Sequence, residues 1–591
     1  MIRQLIIILL TLIITPSTLA QAPYPSKVDL RFNHWYDYEE MTGVLHELVR
    51  EYPELLTIDS IGQSVGGREI WLVTLNNPKT GTDREKTAMF IDGNIHGNEI
   101  QAAETVLYTI WYLCKSYGHI ERITELVDER SFYLVPMANP DGREVWFHQP
   151  ATPNFLRGGI RPVDNDFDGT ADEDGPDDLD GDGHITSMWI KDPLGRYEID
   201  EDDPRFFIRV ERDAPPGGWS RLGEEGYDND DDGQVNEDGI GGYDPNRNWP
   251  ADWQPEWIQY GATDYPFSLP ETRVIGEFLL DHPNVAALQS YHNAGGMILQ
   301  GPSASYIKYP SVDNRTHTTI ANKGAEMLPF YDPMVSYKDL YTVHGGEDGF
   351  GYEGLGIISF TNELWTEKRM YATGEDPSRD EVKEFRDKLQ FEDVFVPYHE
   401  VLHPTYGKVM VGGTKKYSSR VTPPWLLEEG CHRNFAFTMF HADEMPLLSW
   451  GAVDVSKMGN NLWKVTVEVT NEKIIPSRTA MAAKHHIGSP DIFTCSTSNA
   501  STVAASGTTQ GILKTAKLNR IESENPERII VNQGIKGNGS TLFQFIVQGY
   551  GNLELKYVAE KGGTLQKTIQ LKEQFVPKKN THKRAIPSPG S

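Results

Sequence analysis

The sequence predicts an α/β domain built on a mixed, largely parallel sheet with helices on both faces, followed by a C-terminal all-β sandwich. In residues 30–404, short apolar runs alternate with stretches whose apolar residues recur at helical spacing, which is typical of strands joined by crossover helices. In residues 447–575, short runs of alternating apolar and polar residues dominate. Such runs are typical of antiparallel strands packed into a sandwich.

The ends of the chain and the boundary between the two domains differ in composition. Residues 1–20 combine Arg3, an apolar run and a small-residue end at Ala20. This pattern predicts a cleaved signal peptide and a secreted or periplasmic protein without membrane insertion. Residues 405–446 contain Gly-Gly and Pro-Pro pairs and are interpreted as a connecting linker. Residues 576–591 are basic and proline-rich, so we expect a disordered tail.

The charge of the chain is concentrated in one acidic insertion, residues 158–243. The formal net charge of −30 disfavours nucleic acids and anionic membranes as partners. Between residues 164 and 240 there are 26 acidic and 6 basic residues, and an Asp-x-Asp-x-Asp-Gly pattern begins at residues 164, 178 and 228. Carboxylates at alternate positions with a glycine at the sixth match the front half of a calcium loop.

The three copies predict a structural calcium site. They lack the flanking helices and the final glutamate of an EF-hand. The alternative is a disordered acidic loop, because carboxylates at this density repel one another when no cation is bound. The candidate calcium ligands are Asp164, Asp166, Asp168, Asp172, Asp178, Asp180, Asp182, Asp228, Asp230 and Asp232.

His96 and Glu99 lie where a strand passes into a helix. The apolar run at residues 88–91 predicts a buried strand, and a stretch with helical spacing begins near Asn98. Ligands of open α/β sheets collect at this carboxyl edge of the strands. An imidazole and a carboxylate three residues apart are suitable zinc ligands. The alternative is a surface histidine beside a helix-capping glutamate.

Two later strands carry further candidates. His292 follows the apolar run at residues 285–288, as His96 follows its own strand, and is the candidate third ligand. Glu363 lies near the end of another apolar run, where an unpaired buried carboxylate is costly and therefore needs a reason. The alternative for His292 is an ordinary core or surface histidine, one of 17 in the chain.

Taken in order, these residues and several motifs resemble the zinc carboxypeptidase family of the carboxypeptidase A type, in a form secreted by bacteria. The resemblance covers roughly residues 30–400. The matching segments are Gly-x-Ser-x-x-Gly-Arg at 62–68, the His-x-x-Glu motif at 93–99, Asn-Pro-Asp-Gly at 139–142, Asn-Arg-Asn-Trp within 244–249, Ser-Tyr-His at 290–292 and Phe-Thr-Asn-Glu-Leu at 360–364. The two-histidine, one-glutamate ligand set is already known from carboxypeptidase A.

The resemblance implies a role for each matching residue. One zinc ion would be held by His96, Glu99 and His292, with Glu363 as the general base. The substrate would be a peptide or protein with a free C-terminus. Its implied contacts are Asn246 and Arg247 on the terminal carboxylate, Tyr341 closing over it, Arg157 on the scissile carbonyl and Arg68 further upstream.

Some points stay open at the level of sequence. Arg161 competes with Arg157 for contact with the carbonyl. Glu347 and Asp348 lie where the family lines its side-chain pocket, which suggests tolerance for basic C-terminal residues. The rival functions are a related zinc amidohydrolase acting on cell-wall peptides or small amides, and a catalytically dead module that binds peptides or glycans. The sequence does not decide the oligomeric state or the role of the sandwich.

Overall fold

The computed structural model describes residues 24–149, 156–165, 167–371, 374–418, 420–498, 501–511, 518–522 and 524–572. The predicted signal peptide and C-terminal tail lie outside these ranges. Up to the acidic insertion the elements are α1 (Tyr38–Glu51), β1 (Leu56–Gln63), β2 (Glu69–Leu75), β3 (Thr87–Gly93), α2 (Gln101–Ser116), α3 (Glu121–Glu129), β4 (Arg130–Val135) and α4 (Pro140–His148). The insertion carries β5 (Ser187–Lys191), β6 (Tyr197–Ile199), β7 (Phe207–Arg209) and β8 (Trp219–Glu224).

The remaining elements complete the first domain and form the second. The first domain continues with α5 (Pro270–Asp281), β9 (Val285–Asn293), β10 (Met297–Gln300), α6 (Ser311–Met327), β11 (Asp332–Val335), α7 (Glu347–Gly349), β12 (Ile358–Leu364), α8 (Arg379–Leu389), β13 (Phe395–His403), β14 (Gly407–Thr414) and α9 (Pro424–Asp443). The second contains β15 (Leu448–Gly459), β16 (Leu462–Asn471), α10 (Ala480–His485), β17 (Asp491–Thr497), β18 (Ser501–Thr509), β19 (Leu518–Glu522), β20 (Arg528–Val531), β21 (Gly539–Gly549), β22 (Gly551–Ala559) and β23 (Gly563–Leu571).

The first domain is organised around an eight-stranded mixed sheet with the order β1-β2-β4-β3-β9-β12-β10-β11. Its four central strands, β4, β3, β9 and β12, are parallel to one another. β3 and β9 are buried along their whole length, as expected for parallel strands covered on both faces. One face packs against α1, α2 and α9, and the other against α5. The predicted α/β class is confirmed.

The segment interpreted as a linker, residues 405–446, instead completes the first domain. It contains β14 and the 20-residue helix α9. Leu427, Cys431 and Phe435 of α9 are buried in the same core as α2. The Pro-Pro pair that suggested a boundary lies at the start of α9, where proline fits because the first helical N–H needs no partner within the helix. The three cysteines are all free and buried.

The acidic insertion forms a small folded unit together with residues from the end of the first domain. Its strands join β13 and β14 in a six-stranded sheet with the order β13-β14-β5-β8-β6-β7. β14 pairs with β5 in antiparallel register, Val411 lying opposite Met188. Met188, Val409 and Val411 form its small apolar core.

The C-terminal domain is a β-sandwich, as predicted. Its two sheets have the orders β15-β16-β21-β18-β19 and β20-β17-β22-β23. Val465 and Phe545 from one sheet meet Phe493 and Leu555 from the other in the buried core. Of the helices that the structure describes, none has the length and apolar character needed to cross a membrane.

Candidate metal centre and substrate cleft

The first three candidate residues meet at one edge of the central sheet. His96 and Glu99 lie between the end of β3 and the start of α2, and His292 is the next-to-last residue of β9. β3 and β9 are parallel neighbours, so their carboxyl ends lie side by side. Gly97 makes the tight bend possible, because a Cβ at this position would lie 2.6 Å from the backbone of Gly142.

His96, Glu99 and His292 present one ligand atom each to a common point. Glu99 Oε2 lies 3.0 Å from Nδ1 of His96 and 2.9 Å from Nδ1 of His292. The two Nδ1 atoms are 3.1 Å apart. All three residues are about 1% exposed. Two imidazole nitrogens and a carboxylate oxygen are the donor set that zinc takes at catalytic sites, so these residues fit the ion that the sequence predicts.

Electrostatics keeps the Glu99 carboxylate ionised. Burial alone would raise its pKa, but the neighbouring charges of His96 and His292 outweigh burial and hold the pKa of Glu99 well below its usual range. An ionised carboxylate is the form that binds a metal. The Glu99 carboxylate is therefore already in the form that a metal ion requires.

Asp244 supports His96 from behind. Its Oδ1 lies 2.9 Å from His96 Nε2, and its Oδ2 accepts a hydrogen bond of 2.8 Å from Arg157 Nε. An Nε2–H donated to Asp244 leaves the Nδ1 lone pair of His96 directed at the other two ligand atoms. Burial raises the pKa of Asp244, but the charges of Arg247, His96 and Arg157 outweigh burial and lower it well below its usual range.

Glu363 lies directly beside the third candidate ligand. It is the register partner of His292 on the adjacent parallel strand β12. Burial, and next the negative charge of Glu99, raise the pKa of Glu363 to about 7, while His292 and Arg157 oppose the rise. A cation bound between the candidate ligands would lower this raised pKa.

A cavity of about 50 Å³ connects these groups to the predicted substrate contacts. Its walls include His96, His292, Glu363, Arg157, Asn246, Arg247, Tyr341 and Asp348. Asn246 and Arg247 stand on a short 3-10 turn, Pro245–Arg247, that Asp244 caps by accepting a hydrogen bond from Asn246 N. The Tyr341 side chain is half exposed at the cavity. The candidate metal ligands His96 and His292, the Glu363 carboxylate and the Arg247 guanidinium thus line the same small cavity.

The remaining arginines and acids take different positions. Arg68 does not line this cavity and pairs with Asp141 at 2.8 Å. Of the two candidates for contact with the carbonyl, Arg157 lines the cavity, whereas Arg161 forms an ion pair with Asp264. Asp348 lines the cavity, but the adjacent Glu347 is fully buried. Its Oε2 accepts a hydrogen bond from Ser290 Oγ at 3.1 Å. Their adjacency in the sequence suggested that both acids line the side-chain pocket, but of the two only Asp348 lines the cavity.

The structure gathers part of the predicted calcium set. Asp168, Asp178, Asp180, Asp228, Asp230 and Asp232 belong to four groups of carboxylates close enough to share a cation, together with Glu173, Asp174, Glu225 and Glu237, which were not predicted. Asp164, Asp172 and Asp182 lie outside these groups, and Asp166 lies outside the described residues. The Asp164 carboxylate accepts hydrogen bonds from the backbone N–H groups of Phe167 and Gly169 instead.

Two residues at the centre were not predicted from the sequence. Asp244 lies in the same motif as the predicted substrate contacts Asn246 and Arg247. A carboxylate so close to these residues was the sequence feature that could have indicated its role. Arg420, on the segment before α9, lies 3.5 Å from Glu99 Oε1. Nothing in the local sequence around Arg420 indicates this contact, because it depends on how α9 packs.

Comparisons with known proteins identify the family of the first domain. The family model described as zinc carboxypeptidase matches residues 41–163 and 218–400, just over half of the chain. A second model, described as a domain of unknown function, DUF8731, matches residues 447–570. Carboxypeptidase D of Rattus norvegicus is 32% identical over 153 residues, 26% of this chain and 11% of that protein.

Two further proteins show the range of the similarity. A protein of Saccharomyces cerevisiae described as inactive metallocarboxypeptidase ECM14 is 30% identical over 129 residues, 22% of this chain and 30% of that protein. The crystal structure of carboxypeptidase A from Helicoverpa armigera superimposes with a TM-score of 0.43 at 17% identity, covering 69% of this chain and 73% of that one. The chain spans only about a tenth of the length of the carboxypeptidase D relatives. Because the family model matches more than half of its residues, this chain belongs to the zinc carboxypeptidase family.

Proposed function

We propose that the protein is a zinc-dependent metallocarboxypeptidase that hydrolyses the C-terminal peptide bond of peptides or proteins. One observation carries the proposal: the cavity that contains His96, His292 and Glu363 also contains Arg247 and Asn246. A catalytic zinc site alone is compatible with many hydrolases. A buried guanidinium in the same cavity favours substrates that end in a carboxylate.

The metal ligands and the base divide the chemistry between them. His96, Glu99 and His292 would hold zinc, which supplies Lewis acidity and lowers the pKa of a bound water molecule to about 7. Glu363 would accept a proton from the attacking water and later donate it to the leaving amine. Without a metal, burial raises the pKa of Glu363 to about 7, and the charge of a bound zinc ion would lower it and favour the ionised form that accepts the proton.

The other cavity residues would bind and orient the peptide. Arg247 would hold the terminal carboxylate in a two-pronged contact beside Asn246, and Tyr341 would close over it. Arg157 would stabilise the negative charge that develops on the scissile carbonyl oxygen. Arg68, outside the cavity, would contact the peptide further upstream.

The substrate's last side chain would face Asp348. Apart from the proposed base Glu363, this carboxylate is the acidic group among the residues that line the cavity, and it supports a preference for C-terminal lysine or arginine. Comparing release of C-terminal lysine, leucine and glutamate from otherwise identical peptides tests this preference. Equal rates for lysine and leucine would contradict it.

The decisive experiment compares one blocked peptide as its free acid and as its C-terminal amide. The proposed function predicts that the free acid is cleaved at least about 100-fold faster, since only it satisfies the Arg247 guanidinium. Equal rates would favour a zinc amidohydrolase, and no turnover of either peptide in the zinc-loaded protein would favour a binding module. Arg247→Gln should remove most of the preference for the acid.

We also propose that the acidic insertion binds calcium and that the protein acts outside the cytoplasm. The grouping of Asp228, Asp230 and Asp232 within ligand-sharing distance supports the first point, and Asp228 Oδ1 is buried without a hydrogen-bond partner. Thermal melting with calcium and with a chelator tests the site, because a cation that binds only the folded state must raise the melting temperature. Cell fractionation tests the location.

A further inference from the structure

The short segment 420–422 joins the two elements that carry the metal ligands. It lies between β14 and α9, outside the stretches that match the zinc carboxypeptidase family. Each of its hydrogen bonds with β9 and α2 involves Asn293 or Gln101, which lie one and two positions from His292 and Glu99. The segment is therefore placed to control how the ligands are held.

The first set of contacts holds the end of β9. Arg420 Nη2 donates a hydrogen bond of 2.7 Å to the carbonyl oxygen of Asn293, and Asn293 Nδ2 donates one of 3.1 Å back to the carbonyl oxygen of Arg420. Asn293 follows His292 directly and is 1% exposed. This reciprocal pair ties Arg420 to the backbone beside the third ligand.

The second set holds the start of α2. Thr422 Oγ1 and Thr422 N donate hydrogen bonds of 2.7 and 3.2 Å to Gln101 Oε1. Gln101 is the first residue of α2, two residues after Glu99. Asn293 Nδ2 lies 3.3 Å from the same oxygen, so the network closes between the two elements.

The Arg420 guanidinium also reaches the carboxylate ligand. While Glu99 Oε2 faces the two imidazoles, Glu99 Oε1 faces two arginines. Arg157 Nη1 lies 3.2 Å from this oxygen and Arg420 Nη2 lies 3.5 Å from it. Arg420 is not among the residues that line the catalytic cavity. Its charge therefore acts on the centre through Glu99, and it also opposes the rise in the pKa of Glu363.

We propose that Arg420 is a positioning residue for the metal centre: together with Arg157 it fixes Oε1 of Glu99, so that Oε2 stays directed at the ion. This inference rests on the proposed zinc function. Arg157 would supply the hydrogen bond to Glu99 Oε1, and Arg420 would add an ion pair at 3.5 Å. The hydrogen bond of Arg420 to Asn293 O holds the guanidinium in position for this ion pair. Outer partners of metal ligands typically contribute 10–100-fold to metal affinity or activity.

Two variants at this position test the proposal. Arg420 has φ +63°, a conformation that glycine adopts readily, so Arg420→Gly removes the guanidinium and keeps the backbone oxygen that Asn293 contacts. We expect Arg420→Gly to raise the zinc dissociation constant about 10-fold in competition with a chromogenic chelator and to lower kcat about 10–100-fold. KM for a short peptide should stay within about twofold. Arg420→Lys should recover part of both losses.

Arg433→Gln is the matched control. Arg433 is similarly exposed and lies on α9, where it pairs with Glu429, away from the ligands. Zinc affinity and kcat of Arg420→Gly that equal those of Arg433→Gln would overturn the inference, and so would a rise in KM alone. A wild-type protein that neither binds zinc nor cleaves peptides would overturn the proposed function, and this inference with it.

Discussion

The metal centre and the acidic insertion both gather potential metal ligands, but they do so by different means. The metal centre lies at the ends of two adjacent buried strands, and its three candidate ligands are His96, Glu99 and His292. The surrounding residues bury these side chains almost completely and so restrict their movement. The carboxylates of the insertion stand on half-exposed loops and largely accept hydrogen bonds from backbone N–H groups of the same loop, as Asp164 does. Ligands on rigid elements are held in position before the metal binds. Carboxylates on loops instead accept hydrogen bonds from nearby backbone N–H groups until a cation competes for their oxygens.

The two regions also differ in electrostatics. His96 and His292 keep the pKa of Glu99 low, so the Glu99 carboxylate stays ionised without a cation. In the insertion, burial raises the pKa of Glu225 to about 7 even though Thr186 donates two hydrogen bonds to it. The insertion therefore carries at neutral pH a charge that destabilises its fold when no cation is bound.

The largest effect on activity is expected from substitution of Glu363, the proposed general base. Glu363→Gln should lower kcat by about 10²–10⁴-fold, because the amide cannot accept the proton of the attacking water. Zinc affinity should change little, since Glu363 is not a proposed ligand. Steady-state kinetics together with chelator competition checks both points. More than a tenth of wild-type kcat would show that the base is misassigned.

A smaller effect, on zinc affinity, is expected from substitution of Asp244, which contacts His96. Asp244→Asn should weaken zinc binding about 10–100-fold, because the amide holds the His96 ring less firmly and can favour the wrong tautomer. Asp264→Asn, on the exposed ion pair with Arg161, provides the control and should leave zinc binding unchanged. Equal zinc dissociation constants for the two variants would contradict the support given by Asp244.

The smallest effect concerns pH and the acidic insertion. The folded-state pKa of Glu225 is raised, so its contribution to stability is present below about pH 4 and is lost as pH rises through about 7. With a chelator present, amides of β8 should exchange about 10-fold faster at pH 8 than at pH 5.5, after correction for intrinsic rates.

Glu225→Gln should remove most of this pH dependence, and calcium should oppose it by binding the ionised form. Hydrogen exchange followed by mass spectrometry resolves the insertion from the metal centre in one experiment. Greater protection at pH 8 than at pH 5.5 in chelator would contradict the sign of the effect.

The sequence was most informative where function depends on strand ends. The runs before His96, His292 and Glu363 predicted buried strands, and the ends of adjacent parallel strands necessarily meet at one edge of the sheet. The positions of Asp244, Arg420 and α9 depend on packing between residues far apart in the chain, which local patterns do not record. The interpretation of the Pro-Pro pair at residues 423–424 as a domain boundary was wrong, because such a pair also occurs at the start of a helix.

The pairing of β14 with β5 has a practical consequence for truncation. The insertion looks in the sequence like a loop that a shortened enzyme could lose. Deleting it would leave β14 paired with β13 alone and expose its other edge, which would be prone to aggregation. β14 ends only six residues before Arg420, so the deletion would also loosen the segment that holds Arg420 beside Glu99.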